Sequence, residues 1–274
     1  MRFRVPSRPL SQAVIAPLFA VATILLLVSH FPAHAQLRPP PPPGPSRPAK
    51  EAAPFDITGY WVSIVTEDWR FRMITPPKGD TEGVPLNQAG QKLAAAWDPA
   101  KDVQAGEQCK SYGAPAIMRV PGRFHITWQD DNTLKIETDA GKQTRLLHFG
   151  GTQPAGAPSL QGYSVAQWLS ALGGRAGRGG QGQPGATAQR GGSLKVTTTS
   201  LLPGYLRKNG VPYSGSATVT EYYDLVHETD GSTWIVVKTI VHDPMYLFQD
   251  FVTSTNLRKQ ADAAGWNPSA CEAN

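Results

Sequence analysis

The sequence predicts an all-β fold, an antiparallel barrel of about eight to ten strands with one short helix. Three observations carry this: β-branched and aromatic runs recur beyond Phe55, compact turn clusters separate them, and one segment alone has helical spacing. The runs are 57–65, 69–75, 123–129, 132–138, 142–149, 160–168, 194–202, 216–227, 233–241 and 250–258. Asp130-Asp131-Asn132 and Asp139-Ala140-Gly141 join neighbouring runs through turns short enough for hairpins, which favours antiparallel meander pairing. In Asn87–Trp97, Asn87 can cap a helix, Leu93, Ala94 and Trp97 share a face, and Asp98-Pro99 ends it. One helix cannot cover both faces of a parallel sheet. Strands in this number need closure or stacking to manage their edges, and a barrel is favoured over a sandwich.

The chain before the barrel divides in two. Arg2, Arg4 and Arg8 precede an apolar run from Ala13 to Phe31, which closes on Ala33-His34-Ala35. This order reads as a secretory signal peptide over residues 1–35, cleaved after Ala35. Pro17 interrupts the run and small residues occupy the cleavage positions, which favours cleavage over retention as a membrane anchor. The mature protein is then expected in the periplasm or outside the cell, with no stable membrane insertion. Residues 36–54 are rich in proline and read as an extended spacer. About 220 residues remain from Phe55 to Asn274, enough for one core.

The chain carries 26 Lys and Arg against 21 Asp and Glu, but residues 55–274 hold 20 of each sign. A neutral domain lacks the electrostatic footprint of phosphate neutralisation, which argues against nucleic acid as a partner. Cys109 and Cys271 are the two cysteines, and an oxidising compartment allows them to pair as a structural bridge.

The opening Asp56-Ile57-Thr58-Gly59-Tyr60-Trp61 resembles the G-x-W strand of lipocalin-like (calycin) barrels, and Arg258 matches the arginine those barrels pack across that tryptophan. The wider layout is similar to a group of exported bacterial proteins that open on an Asp-x-Thr/Ser-Gly-x-Trp strand. Cys109-Lys110-Ser111-Tyr112-Gly113, Phe124-His125-Ile126 and Asp243-Pro244 belong to that likeness. The resemblance implies that Gly59, Trp61 and Arg258 close the bottom of a lipocalin-like barrel, and that the barrel has a ligand cavity.

Three tempting motifs lack their context. Gly177, Gly179 and Gly182 spell G-x-G-x-x-G inside residues 173–192, but no strand-turn-helix surrounds them, and the segment reads as a disordered glycine-rich loop. Gly162-Tyr163-Ser164-Val165-Ala166 approaches a nucleophile elbow, with Asp224 and His242 following in triad order, yet it lacks the fifth glycine and a parallel sheet. His125, His148, His227 and His242 show no metal-ligand spacing, so no metal and no cofactor is expected.

Polar residues within apolar strands are the better candidates. His125 and Thr127 share one face of their strand, while Phe124, Ile126 and Trp128 share the other; Arg145 and His148 lie on opposite faces of theirs. If the polar faces look inward, His125, Arg145 or His148, Glu221 and Tyr223 line a pocket, with Trp69 adding an aromatic face. Residues 203–213, rich in aromatic and rigid residues, suit a loop at the barrel mouth. The expected function is binding of a small apolar or amphipathic molecule, with arginine suited to a carboxylate on it. The alternative is an isomerase, lyase or hydrolase that uses His125 or His148 with Glu221 for proton transfer.

Overall fold

The computed structural model describes residues 47–151, 156–170 and 192–273. The expected signal peptide, residues 36–46 of the spacer and residues 173–191 of the glycine-rich loop lie outside them. The strands are β1 (Gly59–Ile64), β2 (Arg123–Asp130), β3 (Thr133–Thr138), β4 (Thr144–Phe149), β5 (Tyr163–Ser170), β6 (Gly192–Thr199), β7 (Gly204–Arg207), β8 (Val211–Tyr213), β9 (Thr218–His227), β10 (Thr233–His242) and β11 (Phe251–Lys259). Nine of them close a barrel in the order β1-β11-β10-β9-β6-β5-β4-β3-β2, and β7 and β8 form a separate two-stranded hairpin.

The predicted hairpins β2–β3 and β3–β4 are present, but β4 and β5 pair in parallel, Leu147 opposite Ser164. The chain between them returns to the other end of the barrel before β5 begins, which breaks the expected meander. β1, β3, β6 and β10 therefore run from the first end of the barrel to the second, and β2, β4, β5, β9 and β11 run back.

Strand alternation sends one side chain in two into the barrel. Trp61, Phe124, Ile126, Leu134, Ile136, Leu147, Leu194, Val196, Ile235, Val237 and Leu257 fill it as one apolar cluster. Burial of each large aliphatic or aromatic side chain contributes roughly 1.5–3 kcal/mol relative to exposure. A second cluster closes the second end, where Leu206, Val211 and Tyr213 of the β7–β8 hairpin meet Val219, Val241 and Phe251. Residues 203–213, expected as a mouth loop, are thus largely a packed hairpin.

The expected packing of Arg258 across Trp61 is not found. Trp61 lies opposite Lys259, whose Nζ sits 4.5 Å from the indole centroid, whereas Arg258 lies opposite Val62 and stacks 5.7 Å from Trp234. Arg258 differs from Lys259 by one step of the pleat and so projects from the outer face, away from Trp61. Gly59 takes a φ of 106°, open to glycine, and a Cβ there would stand 2.9 Å from Lys259 Nζ.

The helices are α1 (Trp69–Arg72), α2 (Gln88–Ala96), α3 (Pro99–Gln104) and α4 (Ala114–Ile117), with a 3-10 turn at Gln108–Tyr112. α2 is the predicted helix, and its cap is as read: the Asn87 side chain accepts from Gly90 N at 3.0 Å. Asp98 ends it and caps α3 in turn, accepting from Ala100 N. The strand expected at 69–75 is instead α1. Asp68 adopts φ 52°, and Arg72 is drawn inward to donate to Arg119 O and Ser63 Oγ, so tertiary partners override the local β pattern. Among the described residues no helix is long and apolar enough to cross a membrane.

Residues 47–54, placed in the spacer by composition, fold onto the first end. Ala49 is buried, its N–H bonds Asn132 Oδ1 at 2.9 Å, and its carbonyl accepts from Trp168 Nε1 at 2.9 Å. After β11 the chain crosses the outside of the barrel, placing Trp266 against Tyr60 and His125. Ser269 N bonds Asp139 O, and Cys271 forms a disulfide with Cys109.

Candidate functional site

Arg145, Glu221 and Tyr223 meet inside the barrel. The Arg145 guanidinium grips Glu221 with both terminal nitrogens, Nη1 to Oε1 at 3.1 Å and Nη2 to Oε2 at 2.6 Å, and Nη2 also reaches Thr198 Oγ1 at 3.3 Å. Tyr223 donates to Glu221 Oε1 at 3.3 Å, and the hydroxyls of Ser164 and Thr198 are 2.7 Å apart. Burial opposes the charge on Arg145, but the attraction of Glu221 outweighs it and the guanidinium pKa moves upward. Burial, then the neighbouring Glu221, pushes the Tyr223 phenol up as well. With both side chains at 0% exposure the charges satisfy each other away from solvent, which suits a structural brace across the barrel.

The two histidines stand on the other side of the barrel wall. Phe124 and Ile126 point inward, so His125 points outward, stacked on Tyr60 at 4.1 Å, with Nδ1 3.4 Å from Glu137 Oε2. Leu147 points inward, so His148 also points out, stacked on Tyr163 at 4.7 Å. Strand parity therefore separates both histidines from Glu221, and the proposed acid–base pair does not converge. Trp69 stands 61% exposed on α1, away from all of them.

The triad letters also fail to assemble. Ser164 is buried in the barrel, Asp224 accepts from Ser193, and His242 pairs with Asp250 at 2.8 Å. Among the described residues no three His, Cys, Asp or Glu side chains come together as a metal site.

A cleft of about 600 Å³ opens at the first end, between residues 50–58 and the end of β2. Phe55, Trp128 and Trp168 make its apolar wall; Lys50, Asp56 and Thr127 supply polar groups. Phe55 meets Trp168 edge-on at 5.2 Å, Trp128 lies 6.5 Å from Trp168, and Phe149 backs both indoles at 5.6 and 5.3 Å. The Trp168 N–H bond to Ala49 O holds that indole in place while tying down the segment that forms the opposite rim. Such a volume, with aromatic walls beside Lys50, Asp56, Thr58 and Thr127, suits one small amphipathic molecule.

Sequence reasoning reached Trp128 only as a member of an apolar face and did not single out Trp168. The available signal was an aromatic residue near the end of each of two strands. Its meaning depended on the parallel β4–β5 pair, which carries both strand ends to the same end of the barrel. Comparison with models of protein families, with curated proteins and with solved structures finds no match.

Proposed function

We propose that the protein is exported and binds a small apolar or amphipathic molecule in the aromatic cleft at the first end of the barrel. The observation that carries this reading is the Phe55–Trp128–Trp168 wall around about 600 Å³. Rigid aromatic faces provide large contact areas at low entropic cost. Lys50, one of the residues lining the cleft, supplies a cation for a carboxylate on such a molecule. The Cys109–Cys271 bridge supports export, because structural disulfides persist in oxidising compartments.

The test is a fluorescence titration of the purified protein with anilinonaphthalene sulfonate, an amphipathic anion. Saturable binding that weakens at least about fivefold in Trp128→Ala, the loss expected for one aromatic anchor, supports the reading. Binding that is absent, or equally tight in the folded variant, overturns it.

A further inference from the structure

Three arginines come together at the opposite end of the barrel from the aromatic cleft. Arg72, on α1, is engaged: Nε donates to Arg119 O at 2.9 Å, Nη2 to Ser63 Oγ at 2.9 Å, and Nη1 pairs with Glu67. Arg119, 5% exposed, pairs through Nη1 with Asp68 Oδ2 at 3.0 Å, and its buried Nη2 has no hydrogen-bond partner. Arg207, on β7 and also 5% exposed, lies 4.0 Å above the Phe71 ring. Its buried Nε and Nη1 have no partner either.

Four arginines, Arg70, Arg72, Arg119 and Arg207, stand among four carboxylates, but the pairing is uneven. Glu67 and Asp68 serve Arg72 and Arg119, while the nearby Asp80 and Glu82 are held by Arg70. Arg207 has no ion pair of its own among the described residues. Burial and the neighbouring Arg119 push its pKa down to about 10. A buried guanidinium with unmet donors is costly, and three such donors on two residues that line one cavity make a concentrated demand for an acceptor.

That cavity, of about 40 Å³, is lined by Arg72, Arg119 and Arg207, with Phe71 and Ala116 as apolar walls and Lys208, whose Nζ lies 3.9 Å from Glu272 Oε2, also on its lining. One water needs roughly 10–15 Å³ by the same measure, so the space suits a compact polar group rather than a large ligand. We propose that Arg72, Arg119, Arg207 and Lys208 form a binding site for a small oxyanion, a carboxylate or phosphate group. Planar guanidinium forks match the geometry of both groups, and the unmet donors of Arg119 and Arg207 are those the anion takes up. The site stands apart from the aromatic cleft and does not depend on its function.

Calorimetric titration of the purified protein in chloride-free buffer tests this, with sodium phosphate and sodium acetate added separately at matched ionic strength. Saturable binding of phosphate alone assigns a phosphate group, and binding of acetate alone assigns a carboxylate. Binding of both assigns a general oxyanion site, and binding of neither overturns the proposal. Arg207→Gln should weaken binding about tenfold or more, through loss of charge-assisted hydrogen bonds, with Arg207→Lys intermediate. Wild-type affinity in Arg207→Gln overturns the site. Should that variant fail to fold, Lys208→Gln at the partly exposed rim gives the decision: weaker binding supports the site, and unchanged binding overturns it. Trp128→Ala should leave anion affinity unchanged, which separates this result from any failure of the aromatic cleft.

Discussion

Arg145 and Glu221 form a two-pronged ion pair across the barrel interior, from β4 to β9, with contacts of 3.1 and 2.6 Å and no exposure to solvent. Removing one partner leaves an uncompensated buried charge. Glu221→Leu is therefore expected to destabilise the fold by about 3–5 kcal/mol, whereas Arg145→Met combined with Glu221→Leu should cost much less. Urea unfolding of the two single variants and the double variant checks this. Additive losses would show that the pair is not coupled.

Three tyrosines predict an alkaline limit to stability. Burial raises the phenol pKa of Tyr205, Tyr213 and Tyr223, assisted by Asp102 at Tyr205 and Glu221 at Tyr223. In the unfolded chain these phenols lose protons near their ordinary pKa of about 10, while the folded protein keeps them. The folded state then binds more protons, so the contribution is complete below about pH 10 and diminishes as the pH rises through the folded values. Ultraviolet titration of tyrosinate should show a delayed fraction that ionises at higher pH or with unfolding. Complete ionisation near pH 10 in the folded protein would contradict this.

The Cys109–Cys271 bridge spans a separation of 162 residues and anchors the tail that crosses the outer face of β1 and β2. On the loop-closure model its removal costs up to about 5 kcal/mol. Cys271→Ser should lower the urea midpoint and expose Trp266, readable as a change in tryptophan emission. An unchanged midpoint would show that the tail is held by its other contacts alone.

Gly210 lies at the turn between β7 and β8 with φ 80°, and a Cβ there would stand 2.0 Å from Trp97 Cγ. Gly210→Ala combines left-handed backbone strain of about 1–2 kcal/mol with displacement of a tryptophan. It should lower the thermal midpoint clearly more than Gly231→Ala. Gly231 also has positive φ, but a Cβ there would have open space. Equal effects would show that the Trp97 contact carries no weight.

The all-β class, the turns at 130–132 and 139–141 and the capped helix after Asn87 were legible in the sequence because each rests on near neighbours. Alternation, turn chemistry and capping act over a few residues. The same alternation correctly grouped His125 with Thr127 and set Arg145 apart from His148 on β4. It could not say which group faced inward, because a face is chosen by what packs against it. The apolar partners Phe124, Ile126 and Leu147 took the interior and left both histidines outside.

Local pattern by itself determined that this chain builds strands, where most of them begin, and which residues share a face. Tertiary structure alone decided the parallel β4–β5 pair, the register that puts Lys259 rather than Arg258 on Trp61, and the turn of 69–72 into a helix. It also brought Trp128 beside Trp168, and Arg119 beside Arg207 around one cavity. The physical reason is range: backbone preference is written between adjacent residues, whereas register, closure and the convergence of charges are settled by the free energy of packing distant segments together.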